Sequence, residues 1–207
     1  MVQVMSLLDI ACGDALPAET KGGARRLYFV ATALLSSLLF AALWGLAVGS
    51  QSPHLMMANL YKVPMVILLS SLSAVPAGLL AWKLSGAKCT ATDLLLGFAS
   101  GVFGGTLVMA VLAPLVALYY HSSAWAGPLL GLGTAFLALG TGTIMFVRGV
   151  FRRLDAGVSK FPVLFSVMAF VGMQLATLVQ LIVLASPILP ERTVFSRGVD
   201  AVGSVHP

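Results

Sequence analysis

The chain has 207 residues, of which 59% are apolar and 9% are charged, with a formal net charge of +5 and a mean hydropathy of +1.00. Ordinary globular domains carry about 25% charged residues, so this composition leaves too few polar side chains to cover a soluble globule. It also excludes an intrinsically disordered chain, which needs low hydrophobicity and high charge. The composition instead fits a protein whose surroundings are the lipid bilayer.

Five uncharged runs are long enough to cross a bilayer as helices, since about 20 mostly apolar residues span its hydrocarbon core. None alternates apolar and polar residues as a transmembrane β-strand does. The predicted fold class is therefore all-α, a polytopic bundle of five transmembrane helices over residues 27–186, between tails of residues 1–26 and 187–207. The predicted spans are residues 27–48, 63–82, 94–120, 127–147 and 161–186.

The tail before the first span begins with an apolar stretch, residues 1–12. Its apolar residues recur at helical spacing, which indicates a helix lying in the cytoplasmic membrane interface; a frayed terminus is the alternative. No basic segment precedes the stretch and Asp9 lies inside it, so we expect no cleaved signal peptide.

Basic residues are sorted unevenly between the two sides that the five spans define. The more basic side carries Lys21, Arg25, Arg26, Lys83, Lys88, Arg148, Arg152, Arg153 and Lys160, and the other side carries Lys62, Arg192 and Arg197. The positive-inside rule then predicts a cytoplasmic amino terminus and an outer carboxyl terminus. The positive net charge points to membrane lipids as partners and not to nucleic acid, with expected lipid-head contacts at Arg25, Arg26, Arg148, Arg152 and Arg153.

Rows of small residues four apart occur in several spans and let helix backbones approach closely. The clearest rows are Ala33, Ser37, Ala41 and Gly45 in the first span and Gly97, Gly101 and Gly105 in the third. Such a row either packs the bundle internally or faces a partner, which would be another membrane protein or a second copy of the chain.

A polar face runs along the fifth span, where Gln174, Thr177 and Gln180 are spaced three apart. Amides in hydrocarbon are unfavourable unless they are hydrogen-bonded. We therefore expect this face to point into the bundle or at a protein partner, with a polar ligand or a conduction path as the alternative.

Reactive groups are missing from the predicted spans, which contain no Asp, Glu, Lys, Arg or His. Proton pumps and ion-coupled transporters usually place an ionisable group there. The sequence also has no phosphate-binding loop, dinucleotide fingerprint or nucleophile elbow, and its histidines show no ligand spacing. We expect no enzymatic activity, no cofactor and no metal.

Two segments resemble the bacterial Yip1-like membrane proteins: YKVP at residues 61–64, and FVGMQLA at residues 170–176 followed by Ser186-Pro187. The resemblance covers residues 27–197. It implies a five-span protein of the bacterial cytoplasmic (inner) membrane with a cytoplasmic amino terminus and no catalytic residues. The eukaryotic relatives are non-enzymatic adaptors in membrane traffic, but this chain lacks their long cytoplasmic amino-terminal domain, so a vesicle role is not expected.

Two function classes follow from these features. The first is a non-catalytic accessory or scaffold protein that packs into a larger membrane assembly through its small-residue faces. The second is a small transporter or channel for a neutral or weakly polar solute, suggested by the polar face and by Pro76 and Pro114 inside their spans. A lipid-organising protein is a third and weaker hypothesis.

Overall fold

A computed structural model describes residues 23–123, 125–154 and 159–185, with the backbone alone for residues 182–185. The described residues form five α-helices and no strand: α1 Gly23–Val48, α2 Pro53–Ser85, α3 Ala91–Ser122, α4 Ala126–Arg152 and α5 Lys160–Ala185. All five are long and apolar enough to cross a membrane, which confirms the predicted all-α fold. The predicted interfacial helix and the tail of residues 187–207 lie outside the described residues.

Local sequence sets the turn between α2 and α3. Gly86 ends α2 in the left-handed conformation, with φ of +64°, which glycine adopts without steric strain. Thr90 caps α3 by accepting a hydrogen bond from the Asp93 N–H at 3.2 Å, and Asp93 places a negative charge in the first turn. The direction in which α3 leaves the turn is therefore specified by the turn's own residues.

α2 begins earlier than the predicted second span. The sequence separates an outer segment ending at Lys62 from a span beginning at Val63, whereas the structure has one continuous helix through Pro64 and Pro76. A proline removes one backbone hydrogen bond, and packing of α2 against α1 and α5 maintains the helix on both sides of it. Lys62 consequently lies within a helix of the bundle and not in a loop.

The helices stand in the spatial order α4, α3, α1, α2, α5, each packed along its neighbour, while α4 and α5 touch only slightly. Successive helices run in opposite directions. At one end Arg26 at the start of α1 pairs with Asp93 at the start of α3, with nitrogen and oxygen 2.7 Å apart. We call this the basic end; at the opposite end the Gln51 amide donates to the Tyr120 carbonyl at 2.8 Å. The bundle is thus a nearly closed ring with a gap between α4 and α5.

Glycines bring α3 and α4 into backbone contact. A Cβ built on Gly101 would lie 2.6 Å from the carbonyl oxygen of Gly142, and one built on Gly105 would lie 2.7 Å from that of Ala138. Near the basic end, a Cβ on Gly97 would lie 2.8 Å from a methyl carbon of Val150. The predicted row of the third span is therefore occupied by α4 of the same chain.

The predicted row of the first span is also buried within the chain, since Ala33, Ser37, Ala41 and Gly45 are all inaccessible. Ala33 packs in a cluster with Phe103 of α3. Gly45 abuts the backbone carbonyl of Asn59 in α2 so closely that a side chain would collide with it. This row lets α1 sit between α3 and α2 and makes α1 the central helix of the ring.

Candidate ligand cavity

The ring of helices encloses a cavity of about 280 Å³ whose walls come from all five described helices. Most of its lining is apolar, as in Val66, Ile67 and Met109. On the side of the gap the walls are Leu132 and Leu139 of α4 and Val171, Gln174 and Leu178 of α5. Because α4 and α5 are apart there, the cavity opens sideways toward the surroundings of the bundle.

Three phenylalanine rings close the cavity toward the basic end. The ring centroids of Phe98 and Phe170 are 4.9 Å apart, those of Phe98 and Phe146 5.5 Å, and those of Phe146 and Phe170 5.7 Å. These separations and the tilted or edge-to-face angles are the arrangements that aromatic pairs favour. The cluster also joins α4 to α5, so it closes the ring of helices at this level.

The end of the cavity away from the phenylalanine cluster is polar. Lys62 of α2 and Tyr120 of α3 both line it, and the Lys62 residue is only 8% exposed. Asn59 lies one turn before Lys62 on the same face of α2, is 1% exposed, and has no hydrogen-bond partner for its amide among the described residues. A buried amide of this kind favours a partner with complementary polar atoms, although Asn59 is not among the residues that line the cavity.

A tryptophan forms part of the wall where α1 meets α4. The indole N–H of Trp44 donates to the Thr134 hydroxyl at 3.1 Å, and that hydroxyl donates to the Gly131 carbonyl at 2.8 Å. Trp44 lines the cavity and is 9% exposed. The Trp44 ring is therefore held at a fixed position in the cavity wall, where its fluorescence can be used to detect a molecule in the cavity.

The predicted polar face of the fifth span is divided among three environments. Gln174 lines the cavity and makes no hydrogen bond to another described residue. The Thr177 hydroxyl accepts a hydrogen bond at 2.9 Å from Ser73 of α2, which secures α5 against α2. Gln180 is exposed on the outer surface of α5. The three residues thus do not form one continuous polar path.

The predicted lipid-head residues gather at the basic end with different degrees of burial. Arg26 pairs with Asp93 and donates to the Thr90 hydroxyl at 3.3 Å. Arg153 is half-buried; its burial lowers the pKa of the guanidinium, Asp93 opposes that shift and Arg26 adds to it. The side chains of Arg25, Arg148 and Arg152 are exposed at the same end.

Sequence reasoning did not identify Lys62, Tyr120 or the phenylalanine cluster as parts of a site. Lys62 precedes Val66 and Ser70 at four-residue spacing, which is the signal that would have placed it on the inner face of α2. Beginning the second predicted span at Val63 separated Lys62 from this periodicity. The phenylalanines belong to three separate spans, so their meeting is not visible along the sequence.

None of the protein families, curated proteins or solved structures compared with this chain matches it. The resemblance to the Yip1-like proteins therefore stays a prediction.

Proposed function

We propose that this protein is a non-catalytic membrane protein that binds a small, mainly apolar molecule in its central cavity, as a small transporter for a neutral or weakly polar solute does. We place it in the bacterial cytoplasmic membrane, with the basic end in the cytoplasm. The observation that carries the proposal is the cavity itself, which contains the Gln174 amide and opens between α4 and α5.

The size and lining of the cavity support a small ligand. An apolar cavity of roughly 150 Å³ holds a benzene-sized molecule, and this one is about 280 Å³. Binding pockets are typically apolar with a few polar groups that orient the ligand. Gln174 provides both a donor and an acceptor for a weakly polar substituent.

Fluorescence of Trp44 tests this proposal. The double variant Trp82→Phe and Trp125→Phe leaves Trp44 as the single tryptophan of the chain. The neutral nitroxide TEMPO quenches tryptophan on contact, so in detergent or nanodiscs we expect saturable quenching of Trp44. Ala135 lines the cavity, so adding Ala135→Phe places a phenyl ring there. We expect this variant to weaken the quenching about tenfold or more, because the probe loses space.

The matched control is Leu137→Phe, which adds a ring two residues away on the same helix, where the side chain is 56% exposed. We expect it to leave the quenching unchanged. Quenching that does not saturate, or that Ala135→Phe and Leu137→Phe affect equally, would show that the probe reaches Trp44 only through the bulk lipid or detergent and would refute cavity binding.

The accessory or scaffold function is a second candidate, favoured by the outer surfaces of α4 and α5. Gly133, Gly140 and Gly172 are exposed with open space beyond them, and Gln180 is exposed on the surface of α5. Small residues allow a further helix to approach, and an amide in hydrocarbon favours a hydrogen-bonding partner.

Native mass measurement after mild detergent extraction tests the second candidate. We expect a complex larger than the 21.5 kDa chain, which dissociates in the variant Gly140→Leu. Leu39→Phe changes an exposed position of α1, 69% accessible, and serves as the control. A protein that is monomeric throughout, with no bound subunit, would exclude this function.

A further inference from the structure

Two polar side chains line the cavity at the level where α4 and α5 separate. Gln174 lies one turn after Phe170 in α5, and Thr143 lies one turn before Phe146 in α4. The rings of Phe146 and Phe170 are in edge-to-face contact, with centroids 5.7 Å apart. Because α4 ends and α5 begins at the basic end, Gln174 and Thr143 both lie one turn on the cavity side of this contact. They therefore flank the gap, and both line the cavity.

These two side chains have hydrogen-bonding capacity left for a ligand. Neither makes a hydrogen bond to another residue within 23–123, 125–154 and 159–185, and both are half-buried. The Gln174 amide presents a carbonyl acceptor and two N–H donors, and the Thr143 hydroxyl can donate or accept. An amide in a largely apolar wall is unfavourable without such partners. The pair thus offers both kinds of hydrogen bond to a molecule in the cavity.

Two further hydroxyl groups of the lining offer acceptors. The Ser70 hydroxyl donates to the Ile67 carbonyl at 3.0 Å. The Thr106 hydroxyl donates to the Val102 carbonyl at 2.9 Å. Both protons are directed at the helix that carries the hydroxyl, so lone pairs are what these groups have left to offer. A ligand that brings a hydrogen-bond donor can use these oxygens as well as the Gln174 carbonyl.

The rest of the lining suits a neutral hydrocarbon frame. Lys62 is the charged residue of the lining, and it already has an interaction within the chain, so it does not call for a charged ligand. The other walls are mainly apolar, as in Val66, Ile67 and Met109. Since roughly 150 Å³ holds a benzene-sized molecule, a cavity of about 280 Å³ has room for about ten non-hydrogen atoms.

We propose that the cavity binds a neutral alcohol or phenol, with the ligand's hydroxyl at Gln174 and Thr143 and its hydrocarbon frame against the apolar walls. The inference rests on the proposed cavity-binding function and names the class of its ligand. A hydroxyl donates to the Gln174 carbonyl and accepts from the Thr143 hydroxyl. A ketone or an ether of the same size only accepts, which leaves the Gln174 carbonyl unmatched.

Two nitroxides that differ by one methyl group test the ligand class. 4-Hydroxy-TEMPO carries a hydroxyl, whereas 4-methoxy-TEMPO can accept a hydrogen bond but not donate one. In the protein whose single tryptophan is Trp44, saturable quenching gives a dissociation constant for each probe, expressed as its concentration in the detergent or lipid phase. We expect 4-hydroxy-TEMPO to bind about fivefold more tightly than 4-methoxy-TEMPO, because a hydrogen-bond donor is lost between them.

Variants of the two polar side chains locate the origin of this preference. Gln174→Met keeps the length of the side chain and removes the amide, and it is expected to lower the preference to below about twofold. Thr143→Val keeps the shape and removes the hydroxyl, and it is expected to lower the preference about twofold. The matched control is Gln180→Met, which removes an amide from the exposed surface of the same helix and should leave the preference unchanged.

The other outcomes separate the two proposals. Equal binding of the two nitroxides, or an unchanged preference in either Gln174→Met or Thr143→Val, overturns the hydroxyl inference; the cavity-binding function then stands if TEMPO quenching remains saturable and sensitive to Ala135→Phe. Loss of the preference in Gln180→Met also overturns the inference, since the preference then arises outside the cavity. If no nitroxide quenches Trp44 in a saturable and Ala135→Phe-sensitive manner, both proposals fail.

Discussion

Single glycines decide how close α3 and α4 come. Gly101 and Gly142 face each other, and the backbone oxygen of each lies 2.6–2.7 Å from where the other's Cβ would be. Real Cβ atoms do not approach a backbone oxygen so closely, so any side chain forces the two helices apart. Gly140, on the opposite side of α4, has nothing within 4 Å and plays no part in this contact.

Replacement of these glycines distinguishes the two environments. We expect Gly101→Ala to lower the free energy of unfolding by about 1–3 kcal/mol, because the displaced backbones cannot repack around the methyl group. Gly140→Ala is expected to raise it by up to about 1 kcal/mol, since alanine favours the helix and meets no neighbour. Thermal unfolding in detergent measures both. Equal losses in the two variants would contradict a backbone contact at Gly101.

The thiol of Cys89 reports the environment of the α2–α3 turn. Burial raises its pKa, and Asp93 raises it further, while a hydrogen bond from Trp82 acts in the opposite direction. Because only the thiolate reacts, we expect alkylation by iodoacetamide in the Cys12→Ser protein to be slower at neutral pH than for a free cysteine. The rate should still be rising with pH above the ordinary cysteine range. A plateau below that range would contradict the raised pKa.

At the scale of elements, α5 depends on α2. The Phe170 ring packs directly over Gly78, where a Cβ would collide with it, and Ser73 and Ser85 contact Thr177 and Ser166 through hydroxyl groups. Contact between α5 and α4 is slight outside the phenylalanine cluster. Loss of the α2 contact would therefore detach α5 and remove one wall of the cavity.

Truncation of Phe170 tests this dependence. Phe170 is fully buried, so we expect Phe170→Ala to lower the free energy of unfolding by about 3 kcal/mol through lost packing against α2, α3 and α4. Phe165 on the same helix is 55% exposed, and Phe165→Ala should change stability by less than about 0.5 kcal/mol. Denaturant titration followed by circular dichroism compares them. A similar effect of both variants would mean that α5 is held by nonspecific apolar contact.

At the scale of the whole molecule, the basic end and the opening of the cavity lie in opposite halves of the bundle. Apart from Lys62, the basic residues of the described part of the chain collect at one end, and the cavity opens in the half of the bundle away from it. With the basic end in the cytoplasm, the gap between α4 and α5 faces the outer leaflet. The orientation of the chain therefore decides which leaflet the gap faces.

Single cysteines at the two ends test the orientation. In a background with Cys12 and Cys89 replaced by serine, Lys88→Cys lies at the basic end and Ser122→Cys at the opposite end, and both positions are exposed. We expect a membrane-impermeant maleimide to label Ser122→Cys in intact cells and Lys88→Cys only after the membrane is opened. The reverse pattern would invert the topology and assign the cavity to the inner leaflet.

The spans were predictable because a bilayer imposes a constraint that acts along the chain: each run must be apolar for the thickness it crosses. Inward faces were harder to predict. Gln174, Thr177 and Gln180 are three residues apart, and each step falls about 60° short of a full helix turn, so Gln174 and Gln180 point about 120° apart and meet different surroundings. Only the neighbours of α5 show that Gln174 meets the cavity, Thr177 meets α2 and Gln180 points outward.

The sequence by itself determined the fold class and the places where small residues permit close packing, since hydrophobic length and small side chains are local properties. The tertiary structure decided what those features are used for. The rows of Gly101 and Ala33 pack helices of the same chain, and Lys62 joins Tyr120 at a cavity whose far end is closed by three phenylalanines. These groups lie far apart in sequence, and they meet only because α1 holds α2 and α3 on either side and leaves α4 and α5 apart.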